Sequence, residues 1–356
     1  MISPPANCFN GGVNSPPRKR GPVSKRWPKF LAAGGERLVY EIPGHPAVVV
    51  KVAIRPLEKT IALNAARGRA LDALPAEWKR RAAKDLRGEV ARRRRLIARF
   101  GAEQVPAQRD LLAKVPVCGR MARALRKDGP PPPKEAWTVV SVQKRVAALA
   151  DPQRLRIAAG YAEHGPVPEA LYVRATEHLV FGMHPAERID RRRFLQIQSH
   201  PDLKALLAKA GRDGGLRRAI REWAERTIAH VAATGELFDL AGKDNIVFFR
   251  RGGAWTCALI DVRDPGAPGS LARARDWLFK PAGRRGIGAR EAVALLNLFN
   301  FVRTVNGLAE LAGSRERIRL VPEGAGAERV AAAIGRLPGK GLRDFYLRMR
   351  FGRTFE

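Results

Sequence analysis

The sequence predicts an α+β protein of two lobes, a small antiparallel β-rich lobe followed by a larger helical lobe. Between Trp27 and Val52, short apolar runs are broken by Gly and Pro, a pattern typical of strands joined by hairpins. Apolar residues from Leu216 to Thr234 recur near helical spacing, and Gly235 follows as a stop signal. A chain of 356 residues exceeds the length of about 150 residues that is usual for one domain. We therefore expect two packed lobes.

The elements follow from these patterns in chain order. The stretch from Trp27 to Val52 predicts three strands, and the Ala- and Arg-rich stretch from Leu57 to Phe100 predicts two helices, the second from about Ala76. Beyond them we expect strands at 111–117 and 136–146 around a proline turn at 129–133, a helix at 216–234, a hairpin of strands at 246–250 and 255–260, and a helix at 289–308. The predicted domains are a tail at 1–25, the small lobe at 26–146 and the helical lobe at 147–356.

Charge is the unusual property of this composition. The chain has 66 Lys and Arg against 34 Asp and Glu, a formal charge of +32, which attracts polyanions without selecting among them. Its three cysteines are widely spaced, which favours neither a disulfide framework nor a zinc site and indicates a reducing cytoplasm. No apolar run approaches the ~20 residues of a transmembrane helix, and the N-terminus does not have the pattern of a secretory signal.

Basic residues cluster at two places. The tail at 1–25 is rich in Pro, Gly and Ser and is predicted to be disordered; its basic end at 18–25 could contact an anionic surface or nucleic acid, although a solvated linker is the simpler interpretation. Four consecutive arginines, Arg92 to Arg95, lie on the predicted second helix. We interpret them as a solvated helix face, with phosphate contact as the alternative.

Three features of the small lobe suggest a phosphate site. Gly34 and Gly35 lie between two predicted strands, where a glycine pair lets the backbone approach a phosphate, although most such pairs are hairpin turns. Lys51 lies within the β-branched run 48–52, where it could offer its ammonium to nucleotide phosphates or extend into solvent. A helix carboxylate would hold that ammonium in place, and Glu89 is the first candidate, with Glu77 the second.

Two features of the helical lobe suggest a catalytic and metal-binding site. The loop that opens with Asp239 and closes with Asn245 precedes a β-branched strand, so it could present a carboxylate to a substrate hydroxyl and an amide oxygen to a metal. An Asx turn is the structural alternative. Asp261 ends an apolar strand, where its carboxylate could bind Mg²⁺ or cap the strand in solvent.

The order of these features resembles the protein-kinase-like superfamily, in particular small bacterial kinase-like phosphotransferases. A Gly loop, a strand Lys, a helix Glu, an Asp-to-Asn loop and a strand-end Asp occur in the family's order, from about Trp27 to about Leu311. The resemblance implies a two-lobed kinase-like fold that binds ATP and Mg²⁺ between its lobes. In the small lobe it implies that Gly34 and Gly35 lie against the phosphates, that Lys51 contacts the α and β phosphates, and that Glu89 pairs with Lys51.

In the helical lobe the resemblance implies that Asp239 orients the acceptor hydroxyl, while Asn245 and Asp261 hold Mg²⁺. The chain departs from the family at several points. The family's Asn usually follows its Asp by five residues, whereas here 245 − 239 = 6, so the loop carries an extra residue or Asp244 takes part. The residues before Asp239 and after Asp261 also differ from the family's pattern, and the separation of Lys51 from Glu89, 89 − 51 = 38, is long.

The sequence therefore predicts a cytoplasmic kinase that transfers the γ-phosphoryl group of ATP to a hydroxyl of a protein Ser/Thr, a small molecule or a sugar. Two alternatives stay open. A basic nucleic-acid-binding protein would explain the charge, and a pseudokinase that binds nucleotide without turnover would explain the departures from the family pattern.

Overall fold

The computed structural model of the protein describes residues 29–33, 37–53, 76–117, 122, 134–157, 178–180, 201–240, 244–261, 271–272, 275–276 and 289–321. The predicted tail at 1–25, the helix predicted after Leu57 and the turn predicted at 129–133 lie outside the described residues. The described residues divide into two compact units. The first is drawn from Met1–Arg95 and Pro106–Arg145, and the second from Leu96–Val105 and Val146–Glu356.

The first unit contains a five-stranded antiparallel sheet. Its strands are β1 (Lys29–Ala33), β2 (Arg37–Glu41), β3 (Val48–Ala53), β4 (Gln108–Pro116) and β5 (Glu135–Lys144), in the order β1-β2-β3-β5-β4. One helix, α1 (Ala76–Phe100), lies in the chain between β3 and β4. The β-branched run at the centre of β3 suits a strand that has neighbours on both sides.

The two faces of this sheet differ in chemistry. Val52 lies opposite Leu38 on β2 and Val140 on β5, and these side chains form an apolar cluster with Val115 and Ala136. Because side chains alternate along a strand, the neighbouring position on β3 lies on the other face. That position is Lys51, which the cluster of apolar residues therefore does not include.

The second unit combines a small sheet with three helices. Strands β6 (Leu155–Ile157), β7 (Ile246–Arg251) and β8 (Ala254–Leu259) form an antiparallel sheet in that order, and the helices are α2 (Pro201–Ala210), α3 (Gly214–Thr234) and α4 (Ala289–Leu311). Gly252 and Gly253, both with positive φ, form the tight turn between β7 and β8.

Helix α3 begins and ends at residues that explain its bounds. The side chain of Asp213 accepts a hydrogen bond from the Leu216 N–H at the start, and Gly235 has a φ of 67° at the end. Between them, Trp223 is 1% exposed and its ring packs edge-to-face on Phe248 of β7, 6.3 Å between centroids. The core of the second unit therefore joins α3 to the sheet.

The α+β class with an antiparallel sheet is confirmed, and the four described helices are compatible with a two-lobed fold. The expected solvated face at residues 92–95 is wrong for its first two arginines. Arg92 is 7% exposed, and Arg93 is half-buried with its guanidinium donating to Pro106 O and Gln108 Oε1, each at 2.7 Å. Among the described residues, no helix is both long and apolar enough to cross a membrane.

Candidate functional site

The position of Asp239 is set by the apolar residues around it. After α3 ends, Leu237 and Phe238 are each 1% exposed and Leu240 is 3% exposed, whereas Asp239 between them is half-buried. Phe238 packs edge-to-face on Phe301 of α4, 5.3 Å between ring centroids. The backbone is thus anchored on both sides of the carboxylate that the sequence assigns to the acceptor hydroxyl.

Asn245 connects the three predicted site residues of the second unit. Its side-chain Nδ2 donates to the backbone carbonyl of Asp239 at 3.1 Å. Its own backbone carbonyl accepts from the N–H of Ile260 at 2.7 Å and from the N–H of Asp261 at 3.4 Å. A single residue therefore ties the start of the loop to the end of β8, and the structure brings Asp239, Asn245 and Asp261 together.

The register of the sheet explains why Asp261 lies at this point. Ile246 at the start of β7 pairs with Leu259 at the end of β8, so Asn245 and Ile260 are the next residues on each strand. Leu259 and Ile260 are buried, and the half-buried Asp261 follows them. The apolar strand thus ends with Asp261 next to the backbone carbonyl of Asn245.

An arginine that the sequence did not single out fixes the residue before Asn245. Arg156, in the middle of β6, places its Nε 3.2 Å from the carboxylate of Asp244 and its Nη1 3.8 Å from the carboxylate of Asp202 in the first turn of α2. Strand β6 pairs with β7, and Arg156 lies opposite Val247. The ion pair of Arg156 with Asp244 therefore lies at the start of β7, next to Asn245. This ion pair connects the residue before Asn245 to β6.

Lys51 lies in a buried polar row of the first unit. The β-sheet register places it opposite Val39 on β2 and Ser141 on β5, and Ser141 opposite Asp110 on β4, so these side chains share one face of the sheet. Lys51 is only 6% exposed and Ser141 only 1%. A buried ammonium requires polar partners, and Ser141 and Asp110 are polar side chains on the same face of the sheet. Lys51 is therefore not the solvent-exposed strand lysine of the alternative interpretation.

Glu89, the predicted partner of Lys51, is half-buried on α1. Its described ion pair is with Arg92, 3.7 Å away and three residues further along the same helix. The predicted pairing of Glu89 with Lys51 stays a prediction. The glycine pair Gly34 and Gly35 lies outside the described residues, so its predicted phosphate contact also stays a prediction.

A second polar chain on the Lys51 face was not predicted. Arg93 of α1 donates to Gln108, and Gln108 donates through its Nε2 to Asp110 at 2.7 Å. This chain connects the helix to β4 by side-chain hydrogen bonds. Gln108, Arg109 and Asp110 are consecutive polar residues, so no alternation in the sequence indicates that Gln108 and Asp110 share a face with Lys51; the strand register shows it.

The donor set at Asn245 and Asp261 fits Mg²⁺ better than a transition metal. The described residues contain no group of three or more His, Cys, Asp or Glu side chains placed to hold a metal ion. Mg²⁺, however, is commonly held by one or two protein oxygens together with water and substrate phosphates. Asn245 uses its Nδ2 as a donor to Asp239, which leaves the amide oxygen Oδ1 as the atom that can bind a hard cation.

Comparison with family models, with curated proteins and with solved structures gave no match to this chain.

Proposed function

We propose that this protein is an ATP-dependent, kinase-like phosphotransferase that transfers a γ-phosphoryl group to a hydroxyl acceptor. The observation that carries the proposal is the position of Asn245, whose amide and carbonyl groups tie Asp239 to Asp261. Phosphoryl transfer depends on positioning and charge neutralisation more than on covalent chemistry, so the enzyme needs a few polar groups held in fixed places.

Each residue has one task in this proposal. Asp239 accepts a hydrogen bond from the acceptor hydroxyl and orients its oxygen toward the γ-phosphorus. It receives the proton as the oxygen attacks and as the bond from the γ-phosphorus to the bridging oxygen of ADP breaks, so that ADP leaves. The oxygens of Asn245 and Asp261 would hold Mg²⁺. Lys51 places its ammonium against the α and β phosphates, and Glu89 is the proposed carboxylate partner of that ammonium. When bound, Mg²⁺ neutralises charge that develops on the phosphate oxygens.

The half-buried environment of these groups supports the proposal. The backbone of Asp239 is held between residues that are at most 3% exposed, so little reorganisation is needed when a substrate binds. Lys51 is 6% exposed, and an ammonium at such a position would attract a phosphate more strongly than it would in bulk solvent. The acceptor is a protein Ser/Thr, a small molecule or a sugar, and the cationic surface favours anionic acceptors among these.

The proposal is tested by ATP turnover with Mg²⁺, measured for the wild type, Asp261→Ala and Lys51→Ala. Loss of a charged contact to phosphate corresponds to about 1.5–3 kcal/mol, or roughly 10- to 150-fold. We expect Asp261→Ala to abolish Mg²⁺-dependent turnover and Lys51→Ala to reduce it by tens-fold. Lys114→Ala is the matched control, because Lys114 is another lysine of the same sheet and forms a half-exposed ion pair with Glu135 at 3.1 Å.

The pseudokinase alternative has a distinct outcome in the same experiment. Such a protein binds Mg²⁺·ATP, and its binding depends on Lys51 and Asp261, but no acceptor supports turnover. Binding is therefore measured beside turnover, by the shift in thermal midpoint on adding ATP with and without Mg²⁺. A wild-type protein that shows neither binding nor turnover contradicts the proposal.

A further inference from the structure

Helix α1 carries a row of cations along its exposed side that the proposed phosphotransferase chemistry does not use. Arg80, Lys84, Arg87 and Arg94 are all exposed. At about 100° of rotation per residue, these positions fall within an arc of about 80° on the helix surface. We call these four residues the cationic stripe.

The cationic stripe has no counter-charge in the described structure. Its four side chains have no described ion pair, and the one described carboxylate pair on this helix, Glu89 with Arg92, is 3.7 Å long and involves a buried arginine. Arg80 and Lys84 are four residues apart, and Lys84 and Arg87 three, so like charges are neighbours on the helix surface and repel one another. A bound polyanion would relieve that repulsion, which makes anion binding and helix stability favour each other.

The surface beside the cationic stripe is open. Ala91 lies within the same arc and is exposed, and a Cβ added at Gly88 would meet no atom within 4 Å. Small residues here let a phosphate backbone approach the helix closely. Three of the four cations are arginines, whose planar guanidinium binds phosphate oxygens through two parallel hydrogen bonds.

We propose that the cationic stripe is a docking surface for the phosphate backbone of nucleic acid. Arg80 and Arg94 are 14 residues apart, or about 21 Å along the helix axis. A nucleic-acid strand in a duplex advances about 3.4 Å per phosphate, so about six phosphates pass along that length. A regular line of anions matches a regular line of cations, and the net charge of +32 brings such a polymer to the surface.

An anionic membrane is also a possible partner for these cations, but the structure favours it less than nucleic acid. A helix that lies in a membrane interface inserts an apolar face, whereas Leu96 and Phe100 of α1 are each 1% exposed within the protein core. Among the described residues of α1, Val90 is the large apolar side chain that is exposed, at 45%. Binding at the cationic stripe must therefore come from charge alone, which suits a phosphate backbone.

The test measures binding of a fluorescent 20-base-pair DNA duplex by anisotropy as NaCl is raised from 50 to 300 mM. The stripe variant is Arg80→Gln, Lys84→Gln, Arg87→Gln and Arg94→Gln together. Because each phosphate contact contributes about 0.9 to the slope of log Kd against log salt, loss of four contacts should lower that slope by about 3 to 4. The stripe variant should also bind at least about tenfold more weakly at 50 mM salt.

A matched control removes the same charge elsewhere. Lys204, Arg212, Arg217 and Arg218 of the second unit are exposed and likewise have no described ion pair. Their combined change to Gln should weaken binding less than about threefold, because it alters only the general field of the protein. Since the proposed kinase residues are intact in both variants, ATP binding is measured separately, and the two proposals can fail independently.

Three results overturn this inference. The wild type could bind no duplex at 50 mM salt, the control variant could lose as much affinity as the stripe variant, or the stripe variant could bind as the wild type does. A fourth result replaces the partner: binding to vesicles containing phosphatidylserine that depends on the cationic stripe, without binding to the duplex. Gln is a good helix former, and equal far-UV circular dichroism of all three proteins confirms that the helix is intact.

Discussion

Asn245 is the residue whose replacement separates the candidate site from the fold most cleanly. Asn245→Asp exchanges the Nδ2 donor for an oxygen, so the hydrogen bond to the Asp239 carbonyl becomes a repulsion between oxygens. The backbone bonds from Asn245 to Ile260 and Asp261 do not depend on the side chain. We expect turnover to fall by at least about tenfold with a smaller change in thermal midpoint, measured by steady-state kinetics and thermal unfolding. Wild-type turnover in this variant would remove Asn245 from the proposed mechanism.

Arg156 provides a second test, because its proposed effect passes through Asp244. Arg156→Gln and Asp244→Asn should each lower Mg²⁺·ATP affinity, by about tenfold at most, since partners outside the ligand shell orient the ligands. The double variant should lose no more than either single variant, which a double-mutant cycle of calorimetric affinities measures. Asp202→Asn is the control: it breaks the longer 3.8 Å contact and leaves the loop anchor in place. Additive losses would show that Arg156 and Asp244 act separately.

Asp213 gives a pH dependence with a defined sign. The Leu216 N–H, then the Trp255 indole N–H and the Arg250 guanidinium, hold the pKa of its carboxyl below the usual 3.8, with burial opposing them. A lowered folded-state pKa means that the stabilisation is present above about pH 3.8 and is lost as the pH falls through the folded-state value. Asp213→Asn keeps an N-cap of similar quality but removes the charge.

We therefore expect the urea midpoint of Asp213→Asn to be below that of the wild type at pH 7. The difference should shrink as the pH falls below 3.8. Urea unfolding at a series of pH values measures it. A difference that is constant with pH would show that the charge of Asp213 does not contribute.

The three candidate site residues of the second unit each have a local signal in the sequence. Asp239 and Asn245 bracket a polar loop between a helix and a strand, and Asp261 ends an apolar run. Arg156 had no such signal: it is one of 66 cations, and its partners come from two distant segments.

The strands and helices illustrate which patterns are strong in this sequence. The predicted strands at 111–117 and 136–146 correspond to β4 and β5, and the helix predicted at 216–234 corresponds to α3, with bounds that differ by at most three residues. Their alternation and capping residues are local, so they can be predicted. The solvated face expected at residues 92–95 was wrong for Arg92 and Arg93. Arg92 pairs with Glu89 on the same helix, whereas Arg93 donates to Gln108 on a strand that follows the helix, a contact that the local pattern does not predict.

Helix α1 yields a stability prediction at Gly88. A glycine inside a helix is less favourable than alanine by about 1 kcal/mol, and the space at Gly88 is open, since an added Cβ would meet nothing within 4 Å. Gly88→Ala should therefore raise the thermal midpoint by about 2–4 °C in calorimetry. A lower midpoint would mean that another part of the chain contacts the helix at Gly88.

Cys257 can report on the folding of the second of the two compact units. Burial raises the pKa of its thiol to about 12, so the reactive thiolate is scarce while the second unit is folded. In a chain with Cys8→Ser and Cys118→Ser, a thiol reagent at pH 8 should label Cys257 slowly in buffer and rapidly in urea that unfolds the second unit. Labelling in buffer as fast as in urea would contradict the buried position of β8.

For the molecule as a whole, we propose that ATP binding depends both on Lys51 of the first unit and on Asp261 of the second. Isothermal calorimetry of ATP binding, with and without Mg²⁺, tests this in the wild type, Lys51→Ala and Asp261→Ala, with Asp151→Ala as a control at a turn that holds the Gln153 N–H. We expect Mg²⁺ to strengthen ATP binding to the wild type and to the Asp151 variant. Asp261→Ala should abolish the effect of Mg²⁺, and Lys51→Ala should weaken binding at least about tenfold while that effect remains. ATP affinity that is equal in all four proteins, or absent from the wild type, would rule out the proposed roles of Lys51 and Asp261.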